Sequence, residues 1–231
     1  VIKQNFRIVS NGDSAITILF IDEISELLSQ KIILLKSYVW QEFTDDLVDI
    51  IPAYQSLTIC FKPYRDMYSR LEKSIKQFFN QNLPKLEYDS KLIEIPVCYE
   101  QEFAPDLIKL AKNCGLTSEQ VIDIHTQHNY LVHMLGFLPG FLYLGGLPSI
   151  LTCPRKSIPE LSIPAGSVAI GGNQTGVYPV ASPGGWHIIG RTPLNLFKAD
   201  EKKPFIANPL DKIRFVSITK FEFDAMKKSQ L

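Results

Sequence analysis

The sequence has no excess of charge: 24 basic and 24 acidic residues leave a formal net charge of zero. A nucleic-acid-binding domain shows a basic patch or stripe, and none stands out here. No apolar run approaches the roughly 18–20 residues that a membrane-spanning helix needs, and nothing in the first residues after Val1 reads as a signal peptide. The four cysteines, Cys60, Cys98, Cys114 and Cys153, show no C-x-x-C spacing, so free thiols in a reducing cytoplasm are expected over a disulfide or zinc framework. Gly140 to Gly146 has the length of a phosphate-binding loop but lacks the Lys and Ser/Thr that handle phosphates and magnesium. Gly166-Ser167 is not set in the G-x-S-x-G of a nucleophile elbow, and Gly166 to Gly172 is no dinucleotide fingerprint. Acids are scarcest where motifs are densest, so no carboxylate pair presents itself as an acid and base. Whatever reaction the chain serves, it lacks a full set of catalytic groups.

What is present is turn chemistry. Eleven of 13 glycines and eight of 15 prolines fall between Met134 and Phe197. In the same stretch the charged side chains are Arg155, Lys156, Glu160 and Arg191. Short apolar runs between such turns argue for a closed barrel, and loops on a rigid barrel commonly carry function. Leu92 to Cys98, with Pro96 suggesting an edge or an end, Asn129 to Leu135 and Lys212 to Thr219 read as further strands of it. Pro105 is placed to open a helix that Gly115 closes, and Thr117-Ser118-Glu119-Gln120 fits a capping box for a second, ending near His125.

The first part of the chain reads differently. Phe6 to Ser10 and Ala15 to Phe20 flank Asn11-Gly12, a hairpin signal. Asp22 is placed to cap a helix over 23–37 with Ile24, Leu27, Leu28, Ile32 and Leu35 near one face. Leu47 to Ala53 and Leu57 to Phe61 form a second strand pair. Met67 to Gln81 forms a second helix, burying Leu71, Ile75, Phe78 and Phe79, which Asn82-Leu83-Pro84 ends. The sequence thus predicts an α+β protein with two domains. Residues 1–87 form a small N-terminal α/β sandwich-like domain, and residues 88–231 form a β-barrel domain.

All four histidines lie in the second domain. His125-x-x-His128 invites a metal, but His128 lies beyond the helix, His133 sits in a strand, and no acid stands between His125 and Glu160, so no metal site is predicted. At a helix C-terminus, His125 is placed to bond the last carbonyls. Arg191 follows the strand-like run Trp186 to Gly190. It is placed either to grip a carboxylate with its two-point fork or to pair with a distant acid such as Asp211. Phe137, Phe141, Tyr143, Tyr178 and Trp186 read as an apolar cleft or as ordinary core.

Gly136-Phe137-Leu138-Pro139-Gly140-Phe141-Leu142-Tyr143-Leu144-Gly145-Gly146 resembles the G-F-x-P-G-F-x-Y-L-x-G signature of the KipI/PxpB family, also called allophanate hydrolase subunit 1-like. Pro164-Ala165-Gly166-Ser167-Val168, Gln174-Thr175-Gly176-Val177-Tyr178-Pro179, Ser182-Pro183-Gly184-Gly185-Trp186 and Ile189-Gly190-Arg191-Thr192-Pro193-Leu194 match further blocks in the family's order. The chain departs from the pattern at Gly171, where a second small residue, often alanine, is usual, and at His187, where a shorter residue is usual. The resemblance implies a cyclophilin-like barrel for the second domain. It implies a role as the B subunit of a bacterial-type 5-oxoprolinase that converts 5-oxo-L-proline to L-glutamate. ATP with Mg2+ would serve that complex, with no cofactor site evident in this chain. The implied partners are an allophanate hydrolase subunit 2-like (PxpC-like) protein and a LamB/YcsF-like (PxpA-like) protein. A KipI-like inhibitor of a sensor histidine kinase is the alternative. The motif blocks, with His125, nominate His125, Phe137, Pro139, Gly140, Phe141, Tyr143, Pro164, Gly166, Gln174, Thr175, Tyr178, Pro183, Gly184, Trp186, Arg191 and Thr192 for substrate or partner contacts.

Overall fold

The computed structural model describes residues 5–63, 66–81 and 88–229. Backbone contacts divide the chain into two units, Val1–Asp89 and Ser90–Leu231.

In the first unit, β1 (Phe6–Ser10) and β2 (Ala15–Phe20) form the expected hairpin, with the Asn11 N–H closing on the Ala15 carbonyl at 2.8 Å. Then follow α1 (Glu26–Phe43), β3 (Leu47–Pro52), β4 (Ser56–Phe61) and α2 (Met67–Asn80). The strands make one antiparallel sheet in the order β1-β2-β4-β3. Ile16 and Ile18 of β2 and Leu57 and Ile59 of β4 meet Ile32, Leu35 and Val39 of α1 and Leu71 and Ile75 of α2 in a core closed to water. Each such side chain contributes about 1.5–3 kcal/mol. The start of α1 corrects the sequence reading. Ser25, not Asp22, caps it, its hydroxyl accepting from the Leu28 N–H at 3.2 Å, while Asp22 pairs with Lys31 at 3.4 Å. The helix also runs past Ser37, because Val39 and Phe43 continue the buried stripe of Leu28, Ile32 and Leu35, whereas Ile24 and Leu27 face solvent. Helix α2 stops at Asn80; the residues read as its stop, Asn82 to Pro84, lie outside the described ones.

The second unit is a closed barrel. It comprises β5 (Leu92–Cys98), α3 (Leu107–Cys114), α4 (Ser118–Thr126), β6 (Asn129–Leu135), β7 (Leu142–Gly145), β8 (Glu160–Ile163), β9 (Ser167–Gly171), β10 (Gln174–Val177), β11 (Ser182–Gly184), β12 (His187–Arg191), β13 (Lys212–Ile218) and α5 (Lys220–Lys228). Seven strands close in the order β10-β7-β6-β13-β5-β12-β9, while β8 and β11 make a separate two-stranded ribbon. Inward residues such as Ile95, Val97, Tyr130, Val132, Leu144, Ile170, Val177, Ile189, Ile213 and Phe215 fill the barrel and meet Leu107, Leu110 and Val121 of α3 and α4. Pro96 sits mid-strand, on a side of β5 that has no partner there among the described residues, the edge-like position expected of it. It is tolerated because β5 pairs β13 along its length but β12 only at Cys98, so no β12 partner loses a donor at Pro96.

Helix α3 starts two residues after Pro105, at Leu107, and ends as expected on Gly115, whose φ of 69° suits glycine. The Thr117 capping box forms in both directions, Gln120 N–H to Thr117 Oγ1 at 3.2 Å and Thr117 N–H to Gln120 Oε1 at 2.9 Å. Helix α5 was not foreseen, although Thr219 and Glu222 form an equivalent box. All four cysteines are free thiols.

Candidate functional site

The turn between β6 and β7 sets the site. Its Phe137 holds φ at 65°, a left-handed conformation uncommon for a bulky side chain, and such strain concentrates where function needs it. The turn is fixed by the Leu138 N–H on the Gly136 carbonyl at 2.8 Å and the Phe141 N–H on the Leu138 carbonyl at 3.0 Å. The Phe137 ring is left 59% exposed. Beneath it Phe141, Tyr178 and Trp186 join Ile163, Ala169 and Ile188 in an apolar cluster distinct from the barrel core. The rings meet edge to face: Phe137 on Phe141 at 5.6 Å, Phe141 on Tyr178 at 5.2 Å and Phe141 on Trp186 at 5.6 Å. Each pair adds about 0.5–1.5 kcal/mol beyond burial. Backbone makes room for them. A Cβ on Gly171 would lie 2.5 Å from the Trp186 ring, and one on Gly184 would lie 2.4 Å from the Tyr178 hydroxyl.

These rings border an open cavity of about 330 Å³, walled by Phe137, Phe141, Tyr143, Tyr178 and Trp186, with Pro183 and Gly184 also in its lining. Seven of the residues nominated from sequence therefore meet around one space. Arg155, also in the lining, was not nominated. Its guanidinium lies 5.6 Å from the centre of the Trp186 ring, and among the described residues no acid pairs with it. Burial raises the Tyr143 and Tyr178 hydroxyls above the usual phenol range, and the Arg155 charge offsets part of that.

The segment carrying Arg155 looks mobile in sequence, but the structure tethers it on both sides. The His187 Nε2–H donates to the Pro154 carbonyl at 2.9 Å, and the Lys156 N–H donates to the Gly185 carbonyl at 2.7 Å. Lys156 Nζ sits 2.5 Å from Asp106 and also pairs with Glu160. Asp106 in turn accepts from the Ile188 N–H at 2.8 Å. Burial pulls the Lys156 ammonium down, but the two carboxylates outweigh it and hold its pKa above the ordinary lysine value. The departure at His187 thus braces the Arg155 strap. No local pattern announces Arg155; its anchors lie about 30 and 50 residues away along the chain.

The remaining nominees lie elsewhere. Pro139 and Gly140 line a second hollow of about 260 Å³ beside Phe205. Gln174 opens β10 opposite Gly171. Pro164 and Gly166 form the turn into β9. Gly166 holds φ at 81°, and a Cβ there would strike the Thr192 carbonyl at 2.4 Å. Thr192 is buried, its N–H on the Gly166 carbonyl at 2.9 Å. Arg191 ends β12 after a bulge and donates Nε–H to the Ala165 carbonyl at 2.8 Å, bracing the same turn. Burial lowers its pKa. The pairing with Asp211 does not form: Asp211 accepts instead from the Lys91 and Asn208 N–H groups at 3.1 and 2.8 Å.

His125 and Thr175 lie not at the cavity but in the barrel core, where both are fully buried. His125 Nδ1 lies 2.8 Å from the Tyr99 hydroxyl and Nε2 lies 2.9 Å from Thr175 Oγ1, with Phe215 stacked at 4.5 Å. Burial first, and His128 second, lower the His125 pKa to about 3. The helix-end carbonyl bond expected of His125 is made by His128, whose Nδ1–H donates to the Ile124 carbonyl at 2.8 Å. Among the described residues no three His, Cys, Asp or Glu side chains converge as a metal site, and no helix is long and apolar enough to cross a membrane.

The family model for the carboxyltransferase domain, subdomain C and D, matches residues 6–207. The chain is 41% identical to the 5-oxoprolinase B subunit of Bacillus subtilis (strain 168), covering 96% of this chain and 97% of that one. It is 42% identical to the 5-oxoprolinase B subunit of Escherichia coli O157:H7, covering 74% and 78%. Among solved structures, TTHA0988 superposes with a TM-score of 0.78 at 32% identity over 88% of this chain. The chain spans 39% of the length of TTHA0988.

Proposed function

The chain belongs to the carboxyltransferase subdomain C and D family, and on that premise we propose that it serves as the B subunit of an ATP-dependent 5-oxoprolinase. The observation that carries the reading is near end-to-end similarity, 41% over 96% of this chain and 97% of the relative, to a protein that is itself a 5-oxoprolinase B subunit. A relative matched along its whole length shares one division of labour, not merely a domain.

The site supports this. The amide of 5-oxoproline sits in an unstrained ring and is resonance-stabilised, so its hydrolysis needs activation. Phosphorylation of the amide oxygen by ATP accounts for the coupling. This chain offers no phosphate loop and no carboxylate pair around its cavity. It offers aromatic walls and one cation, which suit binding, orientation and exclusion of water. ATP, with Mg2+, belongs in this reading to the assembled complex. The partners are the allophanate hydrolase subunit 2-like and LamB/YcsF-like proteins. The exposed Phe137 turn is the surface we assign to the first of them. The kinase-inhibitor alternative is not favoured, because the relatives at 38–42% identity are all 5-oxoprolinase B subunits.

The test is release of glutamate from 5-oxo-L-proline with ATP. The purified chain should give none, and addition of both partners should restore it. Turnover by the chain alone, or none by the three together, refutes the reading.

A further inference from the structure

We propose that Arg155 is the carboxylate receptor of the aromatic cavity, and that the cavity selects small flat ring acids through it. The identity of the acid as 5-oxoproline rests on the function proposed above; the anion site itself rests on the geometry.

Arg155 is the one cation in the lining, and among the described residues no acid is paired with it. The nearby carboxylates are already engaged: Glu160 and Asp106 both hold Lys156. A positive charge therefore faces an apolar space with nothing of opposite sign to meet it. In such a space a two-point bond from a guanidinium to a carboxylate is stronger than in water. Trp186 covers one face of the guanidinium, which leaves its edge donors for a ligand. The tethers at Pro154 and Lys156 fix the backbone on either side of Arg155, so little ordering is left to be lost on binding. The walls presented by Trp186, Phe141 and Tyr178 are flat and apolar, matching the face of a planar lactam ring. Arg191, the cation favoured from sequence, already spends its Nε–H on the Ala165 carbonyl and lines no part of this cavity.

The experiment uses Trp186 as reporter in a Trp40→Phe background, since Trp40 and Trp186 are the two tryptophans. Emission is titrated with 5-oxo-L-proline, with 2-pyrrolidinone, which lacks the carboxylate, and with inorganic phosphate, for the full chain alone and assembled with its partners. 5-Oxoproline should bind at least tenfold more tightly than 2-pyrrolidinone, and phosphate should not compete. Arg155→Gln should lose about ten- to hundredfold in 5-oxoproline affinity and raise KM in the complex by a similar factor. Its thermal midpoint should not change, and Arg155→Lys should recover only part of the loss. Equal binding of 2-pyrrolidinone, competition by phosphate, no response to 5-oxoproline in either state, or an Arg155→Gln variant as tight as the parent would each overturn the proposal. Glutamate release with kinetics indifferent to Arg155 removes the receptor and leaves the 5-oxoprolinase reading standing. A carboxylate preference at Trp186 without glutamate release by the complex does the reverse.

Discussion

Acidification from pH 7 to pH 5 should destabilise the barrel by about 2 kcal/mol through His125 alone. Thr175 fixes the starting state. Its hydroxyl donates to the Ala169 carbonyl at 3.1 Å, so toward His125 it accepts, and the imidazole carries its proton on Nε2. Nδ1 is then an acceptor for the Tyr99 hydroxyl at 2.8 Å. A second proton would need to displace that donor and would place a charge between Tyr130 and Phe215, at 5.4 and 4.5 Å, with no acid bonded to the ring. The folded-state pKa is accordingly about 3, against 6.5 for a free histidine. As pH falls through 6.5 the unfolded chain takes up a proton that the folded chain refuses. The stability is thus whole above about 6.5 and is lost progressively down to about 3. One proton is worth about 1.36 kcal/mol per pH unit, and the 1.5 units between 6.5 and 5 give about 2 kcal/mol. Urea unfolding followed by Trp186 emission at both pH values, on Trp40→Phe and on Trp40→Phe/His125→Asn, isolates the contribution. The variant should be weaker at both, and its pH dependence shallower by about that amount. Equal slopes, or a folded-state His125 resonance titrating near 6.5, would refute the reasoning.

Gly171→Ala forces a methyl against Trp186 and should cost about 1–3 kcal/mol; calorimetry checks it, and an unchanged midpoint means the ring moves freely. Arg191→Ala removes the brace on the Ala165 carbonyl and should cost about 1–3 kcal/mol, read as a lower barrel midpoint with activity per folded complex retained. Loss of activity without loss of stability would return Arg191 to the substrate. Residues 88–231, expressed alone, should unfold in one cooperative transition by circular dichroism; a chain without fixed near-ultraviolet signal would show that the barrel needs residues 1–87.

What was legible in the sequence was what short-range rules determine. Asn11-Gly12, the Gly115 stop and the Thr117 box each lie within a few residues of what they control. Helix α5 carried an equally local signal at Thr219 and Glu222, but its Lys-Phe-Glu-Phe start shows no helical stripe, so periodicity concealed it. Asp22 was read as the cap of α1, but its carboxylate is drawn to Lys31, and Ser25 caps the helix instead. The aromatic residues that wall the cavity were nominated because each falls in a motif block, and the structure brings those blocks together. The surroundings of Arg155 and His125 were not legible for one reason: they come from distant strands. Pro154 is held by His187, and Thr175 reaches His125 from fifty residues away. No window along the chain contains those partners.

The barrel's one parallel seam among the described residues, β5 against β13, joins segments 120 residues apart. Every other strand pair is antiparallel. During synthesis, therefore, β5 emerges about 120 residues ahead of β13 and waits with an open edge until β13 has been made. Closure of so long a loop is slow, and the waiting edge is exposed to wrong partners. The cylinder closes only when β13 reaches β5, which makes that docking the step at which the barrel either finishes folding or aggregates.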